Sequence, residues 1–178
     1  ALYRQRPEGG YRLQVLEATP GATSAHLHDF NSDGLPDVVA LFAQGQERIV
    51  IYYNQGSGQF RPETVYRFPA VYGSMNLQLA DFNADGHMDL LHTNGDNADY
   101  SIVPKPYHGV RVLLNNGRNQ FSERYFFPVY GAAQSIATDF DEDGDLDIFT
   151  TATFPVSGQP DMSTLWLLEN QGDEDFQP

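Results

Sequence analysis

The chain has no cysteine in its 178 residues, which excludes disulfides and thiol chemistry without fixing a compartment. Basic residues are scarce. Ten Lys and Arg stand against 24 Asp and Glu, for a formal net charge of −14. Nucleic acid is thereby excluded as a partner, because a phosphate backbone needs the opposite sign. No apolar run reaches the roughly 20 residues that a membrane-spanning helix requires. There is no Gly-x-Ser-x-Gly elbow, no His-Glu-x-x-His and no phosphate-binding glycine loop. The five histidines (His26, His28, His87, His92 and His108) are scattered. The expectation is a chain that is not an enzyme. A hydrophobic content of 40% with 13% aromatics is ample for a core. The chain opens on Ala1 with no leader, so a processed or excised segment is expected.

What is abundant is aspartate, and its placement is regular. DFNSDGLPDVV (residues 29–39) recurs as DFNADGHMDLL (81–91) and as DFDEDGDLDIF (139–149). Oxygen-bearing side chains occupy positions 1, 3, 5 and 9, with Gly at position 6. These are Asp29, Asn31, Asp33 and Asp37; Asp81, Asn83, Asp85 and Asp89; and Asp139, Asp141, Asp143 and Asp147. A short loop of hard oxygen donors around a sharp glycine turn suits Ca²⁺. An EF-hand is not the reading. Its position-12 Glu is replaced by Ala40, His92 and Thr150, and the flanking residues favour strands over helices. An ordinary acidic turn uses the same residue types. It does not require all four donors and the glycine to be kept three times. Three doubly charged ions would bring the net charge from −14 to −8, so much of the acidity reads as a local metal requirement.

The surrounding sequence repeats with the loops. Each unit has a short strand into the loop, an apolar strand out of it, a β-branched or aromatic third strand, an Asn-x-Gly turn and a fourth strand. The third strands are RIVIYY (48–53), GVRVLL (109–114) and TLWLL (164–168), and the turn asparagines are Asn54, Asn115 and Asn170. Pro62 places the first unit's fourth strand at an outer edge. The spacing is 52 residues from Asp29 to Asp81 and 58 from Asp81 to Asp139. Four short strands at a period near 50 predict an all-β fold, a β-propeller of four-stranded antiparallel blades with about three blades in this chain. The expected division is 1–23 as lead-in and spare outer strand of a preceding blade, then 24–70, 71–130 and 131–178 as blades. Residues 1–10 read as loose, and the third blade reads as lacking its fourth strand.

The motif D-F-N-x-D-G-x-x-D-[LIV], with an N-x-G turn followed by Phe60, Phe121 or Phe176, resembles the FG-GAP or VCBS repeat family, the repeats of integrin α-subunit propellers. The resemblance runs from about Tyr11 onward. It implies a propeller, usually of seven blades, with Ca²⁺ in the loop joining the first two strands of each blade. It adds the carbonyls of Leu35, His87 and Asp145 to the three ligand sets, hence about three ions. It also implies an extracellular, cell-surface or periplasmic setting. Three blades cannot close a ring. The expectation is therefore further blades from the same protein, or a second copy exchanging end strands.

The long connections between second and third strands fall on the face opposite the metal loops. They are NGDNADYSIVPKPYH (94–108) and TFPVSGQPDMS (153–163). Long loops on a rigid scaffold are where recognition usually resides. Asp96, Asp99, Tyr100, Tyr107 and His108 are candidate contacts for a protein or glycan ligand, and a loop that merely packs over its blade is the alternative. A second alternative makes the chain a non-catalytic part of a larger envelope enzyme or redox assembly. The four side chains and a carbonyl nearly fill a coordination shell, which favours a structural ion over a catalytic one.

Overall fold

The computed structural model describes residues 1–96, 103–153, 164–172 and 174–178. All regular structure among them is β. After a short hairpin of β1 (Leu2–Gln5) and β2 (Tyr11–Gln14) come three antiparallel sheets of four strands. The first is β3 (Ala22–His28), β4 (Asp37–Phe42), β5 (Arg48–Asn54) and β6 (Phe60–Arg67). The second is β7 (Ser74–Ala80), β8 (Asp89–Asn94), β9 (Gly109–Asn115) and β10 (Phe121–Pro128). The third is β11 (Ala132–Thr138), β12 (Asp147–Ala152), β13 (Leu165–Asn170) and β14 (Phe176–Gln177). In every sheet the strands pair in chain order, so each is an up-and-down blade. The architecture is that of a β-propeller with three blades in this chain.

The blades stack through their faces. The first strands β3, β7 and β11 lie side by side at the inner edge. The middle strands β4, β5, β8 and β9 are almost wholly buried; β4 and β5 are mostly apolar on both sides, while β8 and β9 also bury Asp89, His92, Thr93, Asn94, Arg111 and Asn115. One core joins Val39, Leu41, Ile49 and Ile51 of the first blade to Leu77, Leu90 and Leu113 of the second. Another joins Leu91, Val110 and Val112 of the second blade to Ile148, Leu168 and Phe176 of the third. At roughly 25 cal/mol per Å² of apolar surface, these joints are the main cohesive term between blades. The fourth strands are the outer edges, mostly exposed, and Pro62 sits there as its missing N–H requires.

Four details differ from the sequence reading. Residues 1–10 are not loose: Leu2–Gln5 pairs with Tyr11–Gln14. The Gln5–Tyr11 pairing repeats that of Asn54–Phe60, Asn115–Phe121 and Asn170–Phe176, six residues apart in each case. The hairpin therefore has the form of the outer half of a blade, with its third and fourth strands. Its Leu16 end packs on Ala40, Phe42, Val50 and Tyr52, and Gln14 Nε2 donates to the Gly58 carbonyl at 2.7 Å. Because the hairpin carries its own third strand, β2 does not fit as the missing fourth strand of the last blade. Finally, that fourth strand is begun rather than absent, since β14 pairs with β13. The first blade also starts at Ala22, two residues before the expected strand.

Candidate metal centre

Each Asp-rich loop joins the first and second strands of a blade, and all three fold alike. Position 4 (Ser32, Ala84, Glu142) and the position-6 glycine (Gly34, Gly86, Gly144) are both left-handed, with φ of 53–64° and 84–101°. A side chain tolerates the first only at some strain, and glycine suits the second. Two such residues so close together curl the loop tightly, and position 1 holds the curl. The Asp29 carboxylate accepts from the backbone N–H of Asp33 (3.1 Å) and of Gly34 (2.7 Å). Asp81 does the same with Asp85 and Gly86, and Asp139 accepts from Gly144. Position 5 accepts from the N–H of position 7, at 2.8–2.9 Å in all three loops.

Position 9 is different in kind. Asp37, Asp89 and Asp147 are buried, while most of each loop is exposed. One carboxylate oxygen accepts from the N–H of the position-2 Phe, at 2.9–3.0 Å. The other accepts from the N–H of the turn asparagine, Asn54, Asn115 or Asn170, at 2.7–2.9 Å. The asparagine side chain completes the latch. Its amide donates to the carbonyl of position 8 (Pro36, Met88 or Leu146), and its carbonyl accepts from the turn glycine. The Asn-x-Gly turn thus belongs to the loop's architecture. The sequence marked it as a turn only; its constant pairing with the position-9 Asp is the signal that would have linked the two.

The electrostatics are those of crowded anions. Burial raises Asp89 to about 6, and the charges of Asp85 and Asp81 add to the rise against the hydrogen bonds from Asn115 and Phe82. Asp141 is also raised, by burial and then by Asp143. Asp29 moves the other way. Burial pushes it up, but the N–H groups of Gly34, Asp33, Asn31 and Ser32 together outweigh that push.

The donor chemistry fits a hard cation. In the third loop, carboxylate oxygens of Asp139, Asp141 and Asp147 lie within 4.8 Å of one another. This cluster could hold a metal ion. Loops 1 and 2 have Asn where loop 3 has Asp141, and the Asn31 and Asn83 amides donate to Asp33 and Asp85 at 3.0 Å. For Leu35, His87 and Asp145 the resemblance implies only the backbone carbonyl as a ligand.

Residues 29–92, from the first Asp of loop 1 to just past the last Asp of loop 2, match the family model of the FG-GAP-like repeat. This stretch is an FG-GAP-like repeat. The third loop continues the FG-GAP pattern beyond the matched residues, with the same turn geometry and the same Asp–Asn latch. No curated protein is similar enough to the chain to count as a match.

The opposite face is only partly described. Asp99, Tyr100 and nearly all of the second long loop lie outside the described residues. Asp96 is exposed. Tyr107 is half-buried and stacks on Tyr72 at 5.5 Å, while the Arg111 guanidinium lies 4.4 Å above the Tyr72 ring. His108 has no exposed surface, so it is not available to a ligand. It stacks on Tyr130, and its Nδ1 faces the Gly131 N–H at 3.4 Å. Glu47 has the same place in the first blade. It accepts from the N–H groups of Gly73 and Ser74, so both residues tie one blade to the start of the next. No helix among the described residues is long and apolar enough to cross a membrane.

Proposed function

We propose that this chain is a Ca²⁺-stabilised, non-catalytic propeller segment that binds a protein or glycan outside the cytoplasm. The observation that carries the reading is the threefold recurrence of one loop geometry, with three carboxylates drawn within 4.8 Å of one another in the third loop against their own repulsion. Bound Ca²⁺ would supply the positive charge that offsets it. Asp29, Asn31, Asp33 and Asp37 with the Leu35 carbonyl would hold one ion. Asp81, Asn83, Asp85 and Asp89 with His87, and Asp139, Asp141, Asp143 and Asp147 with Asp145, would hold two more.

In this reading the chain's own residues do the structural part. Position 1 curls the loop. Position 9 fastens it to the outer hairpin through the turn asparagine. Millimolar extracellular Ca²⁺ suits exposed loops of this kind. Ligand recognition belongs to the far face, where half-buried Tyr107 and exposed Asp96 offer an aromatic ring and a hydrogen-bonding group. The third blade's open face is the place for a further blade, supplied by the same protein or by a second copy.

Calorimetric titration with Ca²⁺ and thermal melts with and without chelator test the metal. We expect about three ions and a melt that falls markedly on chelation. No heat of binding together with an unchanged melt would refute the metal reading. A glycan and peptide array scored for binding without turnover tests the rest.

A further inference from the structure

We infer that Asn119 couples the first two cation loops, so that filling one raises the affinity of the other, while the third loop stands apart. The inference rests on the calcium reading above and concerns how those sites communicate. A continuous set of hydrogen bonds joins the two loops. In loop 2, buried Asp89 accepts from the Asn115 N–H at 2.7 Å. Asn115 Oδ1 accepts from the Asn119 N–H at 2.9 Å, and Asn115 Nδ2 donates to Asn119 Oδ1 at 3.2 Å. Asn119 Nδ2 then crosses to the first blade, donating to the Phe30 carbonyl at 2.9 Å and to the Tyr53 hydroxyl at 3.1 Å. Phe30 is position 2 of loop 1, and its own N–H donates to buried Asp37 at 3.0 Å.

The Phe30 backbone, between the first two donors of loop 1, is thus held from both sides. Its N–H is fixed by its own loop and its carbonyl by the next blade. A cation that orders loop 2 fixes Asp89, and through it the Asn115–Asn119 turn. Loop 1 is then partly ordered before its own cation arrives and gives up less conformational freedom on binding. The effect is reciprocal by linkage.

The other blades lack the bridge. Gly58 stands at the place of Asn119 in the first blade and has no side chain. Glu174 stands there in the third. Its carboxylate has no N–H to donate to the Phe82 carbonyl and instead accepts from Arg124 Nε at 3.1 Å. Asn119 also occupies a left-handed conformation, φ 58°, which Asn and Gly accept best.

The test is a Ca²⁺ titration followed by NMR, with the amides of Gly34, Gly86 and Gly144 each reporting one loop. Asp85→Ala disables loop 2. In the otherwise native chain we expect it to weaken binding at loop 1 about fivefold, the equivalent of one hydrogen bond, and to leave loop 3 unchanged. In the Asn119→Gly background, which keeps the backbone conformation, the same change should no longer affect loop 1. Asn119→Asp keeps the Oδ1 acceptor without the Nδ2 donor and should behave as Asn119→Gly does. Equal loop 1 affinity with and without Asp85 overturns the inference, as does an Asp85 effect that persists in both Asn119 variants. If calcium moves none of the three glycines, the calcium reading itself falls. If all three respond independently, only the coupling does.

Discussion

Acidification should loosen the joint between the first two blades through one buried imidazole. His92 has no exposed surface and stacks on Phe68 with ring centroids 3.8 Å apart. Its Nε2 lies 2.8 Å from Ser74 Oγ, whose hydroxyl donates to Glu47 Oε2 at 2.7 Å. Because the hydroxyl hydrogen goes to the carboxylate, Ser74 Oγ accepts from His92, and the ring is the neutral Nε2–H tautomer. Nδ1 is buried with no hydrogen-bond partner among the described residues, so a second proton there would go unsolvated. Burial accordingly holds the His92 pKa well below its ordinary 6.5, and the Arg111 charge acts the same way. The folded state refuses a proton that the unfolded chain takes up below about pH 6.5. Stability from this group is therefore intact above that pH and lost as pH falls, by up to about 1.4 kcal/mol per unit. At pH 5 the loss is about 2 kcal/mol. The assay is urea unfolding of the native chain and of His92→Gln at pH 7, 6 and 5. Taking the difference cancels every other titrating group, including Asp89, whose raised pKa works in the opposite direction between about pH 6 and 4. We expect the variant to gain on the native chain by about 2 kcal/mol from pH 7 to pH 5. A difference that stays flat to about 0.5 kcal/mol would show that the ring is not held neutral by burial.

Gly95→Ala should cost about 3 kcal/mol or more in urea unfolding, because the added Cβ would sit 2.2 Å from the backbone N and O of Ala132 at the start of the third blade. A variant of native stability would mean that these backbones do not approach so closely. Asn115→Ala should cost about 2–3 kcal/mol, since it strips four hydrogen bonds from a buried side chain at the base of an exposed turn. Its neighbour Asn116→Ala, on an exposed side chain, should cost under about 1 kcal/mol, and equal effects would dissolve the distinction between latch and turn.

Most of the architecture was legible because it rests on periodicities that sequence carries directly. Unbroken apolar character in RIVIYY and the D-F-N-x-D-G signature each report local geometry. The strand order follows from their spacing. What stayed hidden depends on partners distant in sequence. Glu47 and His108 share no chemistry, yet each occupies the same joint and binds the N–H of the following blade's first glycine, Gly73 or Gly131. The hairpin at residues 2–14 escaped notice because Arg-Pro-Glu-Gly-Gly replaces Asn-x-Gly, although the six-residue interval is unchanged. The structural use of position 9 was also invisible. As a donor at the right spacing Asp37 reads as a ligand only, whereas its burial and its bond to Asn54 make it a structural pin as well.

The same residue at the same repeat position should have very different weight in two blades, and that difference isolates what stacking contributes. Phe82 and Phe140 are both position 2 of their loops. Phe82 is 4% exposed, meets Phe176 of the next blade edge-on at 6.0 Å and sits in the core between the second and third blades. Phe140 is 59% exposed and touches Phe149 of its own blade at 5.1 Å. Local sequence, loop geometry and the hydrogen bond from the Phe N–H to position 9 are common to both. Phe82→Ala removes a buried ring and leaves a cavity, for about 3–5 kcal/mol. Phe140→Ala removes mostly solvated surface, for about 1 kcal/mol. Denaturant unfolding of the two variants compares them directly. If Phe140→Ala proved as costly as Phe82→Ala, the third blade's open face would already be covered, and self-association of the chain, read by its mass in solution, would be the first thing to measure. If both were mild, the position-2 ring would matter to its own loop alone, and the cohesion assigned to the blade joints would have to lie in the middle strands.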